Sequence, residues 1–298
     1  CKGALIMAKT DIKTLQAAFE ESRLIYDRYG ARVSDTRKTS IHIFGSSSKG
    51  NSVYFTKIRT LMDLGLPMKR YTTIDPNFFF NVDYLILTHE HSDHINISTL
   101  VKILTTFPNV KVLIHPNMWE ALIGTKLSSR VSEKQRVAIL KANANSETLF
   151  DVPTERSHFI SAKGVQLLAT REHLPFTFTP HVVSHGPIKN LAIELYYEQT
   201  RALYSSDLDT VEPTEIESSL LQGLPTNRKF DIICLEANYD TEVLNKYLLE
   251  HPTDSHAAGN LRHISEQDAQ KYVNSHLVQE GMYIPLHASR AFGTFFQN

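Results

Sequence analysis

Apolar positions Leu15, Phe19, Leu24 and Tyr26 recur at near-helical spacing over residues 11–29, with Asp11 near the start and Gly30 after the end. The spacing predicts an amphipathic helix, suited to a lid, a brace or a dimer contact. After a polar linker the period changes. "SIHIF" (40–44), "SVYFT" (52–56) and "TLMDLG" (60–65) are short β-like runs punctuated by glycine. "VDYLILTH" (82–89) predicts a continuous apolar strand, "NISTLVKILTTF" a helix, and "VKVLIH" (110–115) another strand. Residues 117–160 are polar and mixed, with Lys126, Arg130, Lys134, Arg136 and Lys141 on a partly helical stretch. A solvated face is the plainer reading of these, ahead of a substrate-binding arm. Strands resume at "VQLLAT", "FTPHVVSH", "LAIELYY", "RALYSSD" and "FDIICLEAN"; two helical segments and "MYIPLH" (282–287) close the chain. The strands fall in two batches with helices between and after them. That order favours a two-sheet α/β sandwich over a doubly wound sheet. Residues 1–37 read as a leader and helical extension, and 38–298 as one domain.

Composition changes this picture little. Hydrophobic content of 42% and charged content of 21% fit an ordinary globular protein. A formal net charge of −1 supplies no global pull toward nucleic acid, though a local basic groove is compatible with it. Of the two cysteines, Cys1 is terminal and Cys234 sits in an apolar run. No disulfide framework follows, which suits a reducing cytoplasm. No apolar stretch approaches the ~18 residues of a membrane span.

The chemistry concentrates in "LTHEHSDHI" (87–95), which resolves into His89-x-His91-x-Asp93-His94. Alternate residues at a strand end point the same way, so His89 and His91 are expected to converge on one ion. Asp93 and His94, offset as the chain turns, can face a second. Imidazole and carboxylate donors suit zinc, manganese or iron. The helical pattern His-Glu-x-x-His does not apply, because the residue four places after His89 is Asp93. For most of the 14 histidines an ordinary surface or core role is expected. His42, His158, His251, His256 and His276 have no motif support, and His115, His173 and His181 are ambiguous.

The His-x-His-x-Asp-His pattern after an apolar strand resembles the signature of the metallo-β-lactamase superfamily. The resemblance implies an αββα sandwich of two mixed sheets flanked by helices, with two divalent metals, zinc or alternatively manganese, at one sheet edge. It implies that His89, His91 and His185 hold the first ion, that Asp93, His94 and His287 hold the second, and that Asp207 bridges them. Asp63 in "LMDLG" matches a buried aspartate lying behind the ligands. The order of "CLEANYD" (234–240), "GNLRHISEQDAQKYV" (259–273) and "PLHASR" (285–290) is similar to the ribonuclease Z branch. That likeness assigns His263 as proton donor to the leaving oxygen, oriented by Glu236. The plainer reading of His263 is a polar residue before the capping-box-like "SEQD" (265–268).

"FGSSSKGNSVYF" (44–55) is similar to the WalJ/YycJ-type branch, associated with DNA exonucleases. Ser47, Ser48, Lys49 and Asn51 are then expected to meet substrate phosphate. The chain departs from that branch at Tyr239 and in a longer Ser/Lys loop. The implied activity is two-metal phosphodiester hydrolysis, with a metal-bridging hydroxide as nucleophile and Asp93 and His263 in catalytic roles. The expected substrate is a DNA or RNA end. Alternatives are a cyclic nucleotide phosphodiesterase, a thioesterase or lactonase using the same ligands, and a non-catalytic binding module. A cytoplasmic protein without membrane attachment, with homodimer formation open to it, completes the expectation.

Overall fold

The computed structural model describes residues 41–114, 118, 131–145, 149–151, 176–186, 188–212, 214–216 and 220–294. The N-terminal helix, "VQLLAT", His115, His158, His173, Lys126 and Arg130 lie outside the described residues.

Two sheets carry the fold. The first orders β1 (Ile41–Gly45), β2 (Ser52–Phe55), β3 (Thr60–Met62), β4 (Tyr84–Ile86), β5 (Lys111–Ile114) and β6 (Leu149–Asp151) consecutively. β1, β2 and β3 pair antiparallel, and β3 to β6 run parallel. The second sheet is ordered β13-β12-β9-β8-β7, from β7 (Thr177–His185), β8 (Ile188–Tyr197), β9 (Thr200–Ser205), β12 (Phe230–Glu236) and β13 (Leu277–Leu286). A small hairpin, β10 (Thr214–Ile216) and β11 (Leu220–Gln222), stands apart. The helices are α1 (Met68–Ile74), α2 (Ile97–Thr106), α3 (Glu133–Asn145), α4 (Thr241–Glu250), α5 (Ser255–Gly259) and α6 (Glu266–His276).

Side-chain alternation explains the layers. In β4, Tyr84 and Ile86 face the second sheet with Met62, Val182, Ile232 and Cys234, while Leu85 turns to the other face with Leu100 and Ile103 of α2. In β12, Ile232 and Cys234 point between the sheets, and Ile233 and Leu235 pack with Ala269 and Val273 of α6. Period-two strands with both faces apolar must be covered on both sides, which makes an αββα sandwich. Cys234 is a free, fully buried residue of the inter-sheet core. Ser265 caps α6 by accepting from the Asp268 N–H at 3.0 Å, as the "SEQD" pattern predicts.

The strands are shorter than their apolar runs. β4 stops at Ile86, although "VDYLILTH" continues to His89. Leu87 is buried in the first sheet's outer core, and Thr88 donates its N–H to Asp63 rather than to a neighbouring strand. Buried backbone needs a partner but not a ladder, so the apolar run outlasts the strand.

Candidate metal centre

Strand direction assembles the site. β9, β12 and β13 are mutually parallel, and β7 reaches the same direction through two antiparallel steps. Their C-terminal ends therefore share one edge, where His185 ends β7, Glu236 ends β12, and Asp207 and His287 follow β9 and β13. β3 and β4 are parallel in the facing sheet and deliver Asp63 and the His89–His94 loop. Since β4 ends at Ile86, it is the loop, not strand alternation, that brings His89 and His91 together.

Two donor groups meet at Asp207. His89, His91, His185 and Asp207 offer ligand atoms within 4.8 Å of one another, and so do Asp93, His94, Asp207 and His287; a third set just as close, Asp207, Glu236, His263 and His287, overlaps the second. Nε2 of His89 lies 3.1 Å from Nδ1 of His91, which lies 3.2 Å from Nε2 of His185. Asp207 divides its oxygens between the groups. Oδ2 is 3.6 Å from His89 Nε2, and Oδ1 is 3.2 Å from His94 Nε2 and 3.5 Å from His287 Nε2. Asp93 Oδ2 is 3.3 Å from His287 Nε2.

In His94, His287 and His89 the inward-facing nitrogen is set by what the other nitrogen of the ring meets. His94 Nδ1 donates to Asp63 Oδ2 at 2.7 Å, and Asp63 also accepts from Tyr204 Oη at 2.9 Å and from the Thr88 hydroxyl. His287 Nδ1 is 3.1 Å from Glu236 Oε1, and His89 Nδ1 is 3.1 Å from Thr88 Oγ1. Partners of this kind fix imidazole orientation and tautomer in metal sites. Burial, with His89 and His185 alongside, lowers the pKa of His91 to about 4, so its ring is neutral with a lone pair available. Burial would also lower His287, but Asp207, Asp93 and Glu236 outweigh it and push it up to about 10. The second donor group thus carries an excess of carboxylate that attracts positive charge. Imidazole donors and a shared carboxylate fit two divalent ions with nitrogen and oxygen ligands.

Backbone strain concentrates here. Asp63, Asp207 and His287 are non-glycine residues in the left-handed region, at φ 58°, 56° and 52°. Such residues cost about 1–3 kcal/mol and persist where their surroundings hold them. A buried side chain grips each carbonyl: Ser52 Oγ donates to Asp63 O, Asn190 Nδ2 to Asp207 O, and Asn238 Nδ2 to His287 O. Ser46 Oγ accepts from the His287 N–H at 2.7 Å. Serines and asparagines carry no metal-site signal by spacing, so nothing in the sequence marks Ser52, Asn190 or Asn238.

The glycine-serine loop divides between surface and scaffold. Ser48 and Lys49 are exposed, and Ser47 is half-buried. Asn51 is buried, with Nδ2 directed to Ser47 O, Asp93 Oδ2 and His94 Nε2. Its geometry is that of a brace on the metal loop, which differs from the substrate contact expected of it. Gly65 permits the close approach of that loop, since a Cβ there would lie 1.7 Å from Asp93 O and 2.6 Å from Asn51 N. Gly65→Ala should therefore destabilise the fold at the upper end of the ~1–3 kcal/mol typical of overpacking. Urea unfolding of the two proteins, compared at equal slope, checks this.

His263 stands beside the donors. Its Nδ1 is 2.6 Å from Glu236 Oε1, while Glu236 Oε2 accepts from the Leu208 N–H at 2.8 Å. Burial alone would lower the His263 pKa, but the Glu236 carboxylate overcomes it and holds the imidazole above its ordinary value. Glu236 is fully buried, so it depends on these partners. One carboxylate oxygen thus serves both a donor imidazole, His287, and the neighbouring ring of His263. His181 is drawn away from this edge, 3.1 Å from Glu194 on the second sheet's outer face.

No helix among the described residues is long and apolar enough to cross a membrane. In sequence, the chain is 30% identical over 102 residues to "Exodeoxyribonuclease WalJ" from two strains of Streptococcus pneumoniae. The match covers 32% of this chain and only 36% of the relative's length. In structure, it is similar to Zn(2+)-bound PqqB from Methylobacterium extorquens, at TM-score 0.57 and 9% identity, covering 87% of this chain and 92% of that one. It is also similar to a long-form RNase Z from yeast, at TM-score 0.55 and 14% identity, covering 87% of this chain and 38% of that one. At such identities the two likenesses carry the fold alone. The family model described as "Metallo-beta-lactamase superfamily" matches residues 80–276, more than half of the chain, with His89, His91, Asp93, His94, His185, Asp207, Glu236 and His263 inside the match. With that match on an αββα sandwich whose one sheet edge gathers two His/Asp donor groups, the chain belongs to the metallo-β-lactamase superfamily and is a metal-dependent hydrolase.

Proposed function

We propose that the protein is a two-metal phosphodiester hydrolase acting as an exonuclease on a DNA or RNA end. The observation that carries this reading is the His263–Glu236 pair at 2.6 Å, placed against the donor groups and held toward its protonated form. Ester hydrolysis with a good leaving group needs no such acid, whereas a departing nucleoside alkoxide does. A thioesterase, whose leaving thiolate needs no proton, would leave His263 without that task.

His89, His91, His185 and Asp207 would hold one divalent ion, and Asp93, His94, His287 and Asp207 the other. Bound ions would supply an activated water at neutral pH and neutralise charge on the phosphoryl oxygens. The chain's own groups do the rest. Glu236 accepts from Nδ1 of His263, leaving Nε2 as the nitrogen that gives its proton to the leaving oxygen. Glu236 also orients His287, so acid and donor group are set by one carboxylate. Exposed Ser48 and Lys49, with Ser47, flank the site to meet substrate phosphate. The partial likeness to an exodeoxyribonuclease supports the nuclease assignment. Zinc is the ion that the donor set fits, with manganese second, and the cysteine usage suits the cytoplasm.

A second reading, hydrolysis of cyclic nucleotides, is favoured by the net charge of −1, because a long polyanion ordinarily calls for a basic track. End-labelled DNA and RNA, incubated with the zinc- or manganese-loaded protein beside cyclic mononucleotides, separate the two. Stepwise shortening of a labelled strand is expected. Turnover of cyclic nucleotides alone would replace the nuclease reading with the second one, and turnover of neither would overturn both.

A further inference from the structure

Of the imidazoles in the two donor groups, His185 has a backing partner that no motif marks. Its Nδ1 is buried and makes no hydrogen bond, and 3.7 Å away lies Oδ1 of Asp209, likewise buried and without a hydrogen bond. The other half of Asp209 is firmly held. Oδ2 accepts from Ser184 Oγ at 3.0 Å and from the Gly186 N–H at 2.8 Å, and the Asp209 N–H donates to Ser184 O at 2.8 Å. Asp209 is thus fastened to the residues on both sides of His185. That leaves its second oxygen facing the His185 ring.

A neutral imidazole that presents Nε2 as a lone pair must carry its proton on Nδ1. Two complementary atoms, each buried and unpaired, are costly apart, and a shift of well under an ångström per side would join them. We propose that Asp209 is a positioning residue for the metal centre: its carboxylate takes the Nδ1 proton side of His185 and so fixes the tautomer and angle at which Nε2 faces the first ion. Asp63 stands in the same relation to His94, and Glu236 to His287. The inference rests on the two-ion reading of the site and adds a residue to it.

The test compares full-length wild type, Asp209→Ala, Asp209→Asn and Ser184→Ala. Zinc affinities are read by competition with a chromophoric chelator, and the site geometry by the visible spectrum of the cobalt-loaded proteins. Loss of a carboxylate behind a ligand histidine typically costs about 10–100-fold in metal affinity. Asp209→Ala should weaken one of the two ions by that factor and alter the cobalt bands of one site, leaving the other ion unchanged. Asp209→Asn, which keeps an acceptor oxygen, should recover part of the affinity. Ser184→Ala, which removes a bond to Oδ2 only, should stay within about two-fold of wild type.

Wild-type affinity for both ions in Asp209→Ala would overturn the proposal, as would equal weakening of both. If Asp209→Ala fails to fold, Asp209→Asn decides: an intermediate affinity at one ion supports the assignment, and an unchanged value overturns it. A wild-type protein that binds no zinc or cobalt would instead overturn the two-ion reading, and the role of Asp209 with it.

Discussion

Replacing His263 with Ala is expected to lower phosphodiester turnover by about 10²–10⁴-fold, the usual worth of a positioned general acid. Both ions should remain bound, because the two groups proposed to hold them are complete without His263, which belongs only to the overlapping set with Asp207, Glu236 and His287. The pH profile gives the sharper signature. His263 acts as an acid only when protonated, and Glu236 raises its pKa above the ordinary value. Its contribution is thus complete at low pH and is lost as pH rises through that raised value. Wild-type turnover should show an alkaline limb, and the variant should lose it. The same substitution should spare any substrate whose leaving group needs no proton, so a nitrophenyl phosphodiester should be far less affected than a nucleotide ester. Unchanged nucleotide turnover would remove His263 from the mechanism, and loss of metal would make it a structural element instead.

Asp207→Asn is expected to have the larger effect, on the order of 10³-fold or more in turnover. Charge stabilisation by paired ions is worth several kcal/mol, and each 1.36 kcal/mol is about tenfold. Asn keeps the shape and tolerates the left-handed backbone at φ 56°, so the change isolates the bridging charge. Because each oxygen of Asp207 faces a different donor group, both ions should bind more weakly, with fewer than two per chain by metal analysis after dialysis. Buried His94 and His287 also lose the carboxylate that faces them. Breaking a buried ion pair costs about 3–5 kcal/mol, so the metal-free variant should unfold at lower denaturant concentration as well. Two tightly bound ions in the variant would show that Asp207 does not bridge.

Both residues stand out as candidates in the sequence, Asp207 because it follows the apolar run "RALYSSD" and His263 because of its place in a familiar motif order. The same held for His89, His91, Asp93, His94, His185 and His287. Others were invisible for a physical reason. Asn190 and Asn238 matter because they reach the carbonyls of strained neighbours, and nothing in their own flanks announces that. Asp209 becomes meaningful only when its backbone N–H and its carboxylate both meet Ser184, 25 residues away. Asn51 lay within a recognised loop, but the loop's fold turned it inward on Asp93 while Ser48 and Lys49 stayed outside.

What the residue order alone determined was the inventory: two batches of strands, the donor types, and their placement after apolar runs. Those follow from local periodicity and side-chain chemistry, which a linear pattern carries. What only the tertiary structure decided was aim. Parallel strand ends had to share an edge, left-handed turns had to be held by buried amides and hydroxyls, and Glu236 had to serve His263 and His287 at once. Aim depends on contacts between residues far apart in the chain, and a difference of an ångström in those contacts separates a pair of donor groups from a cluster of surface histidines.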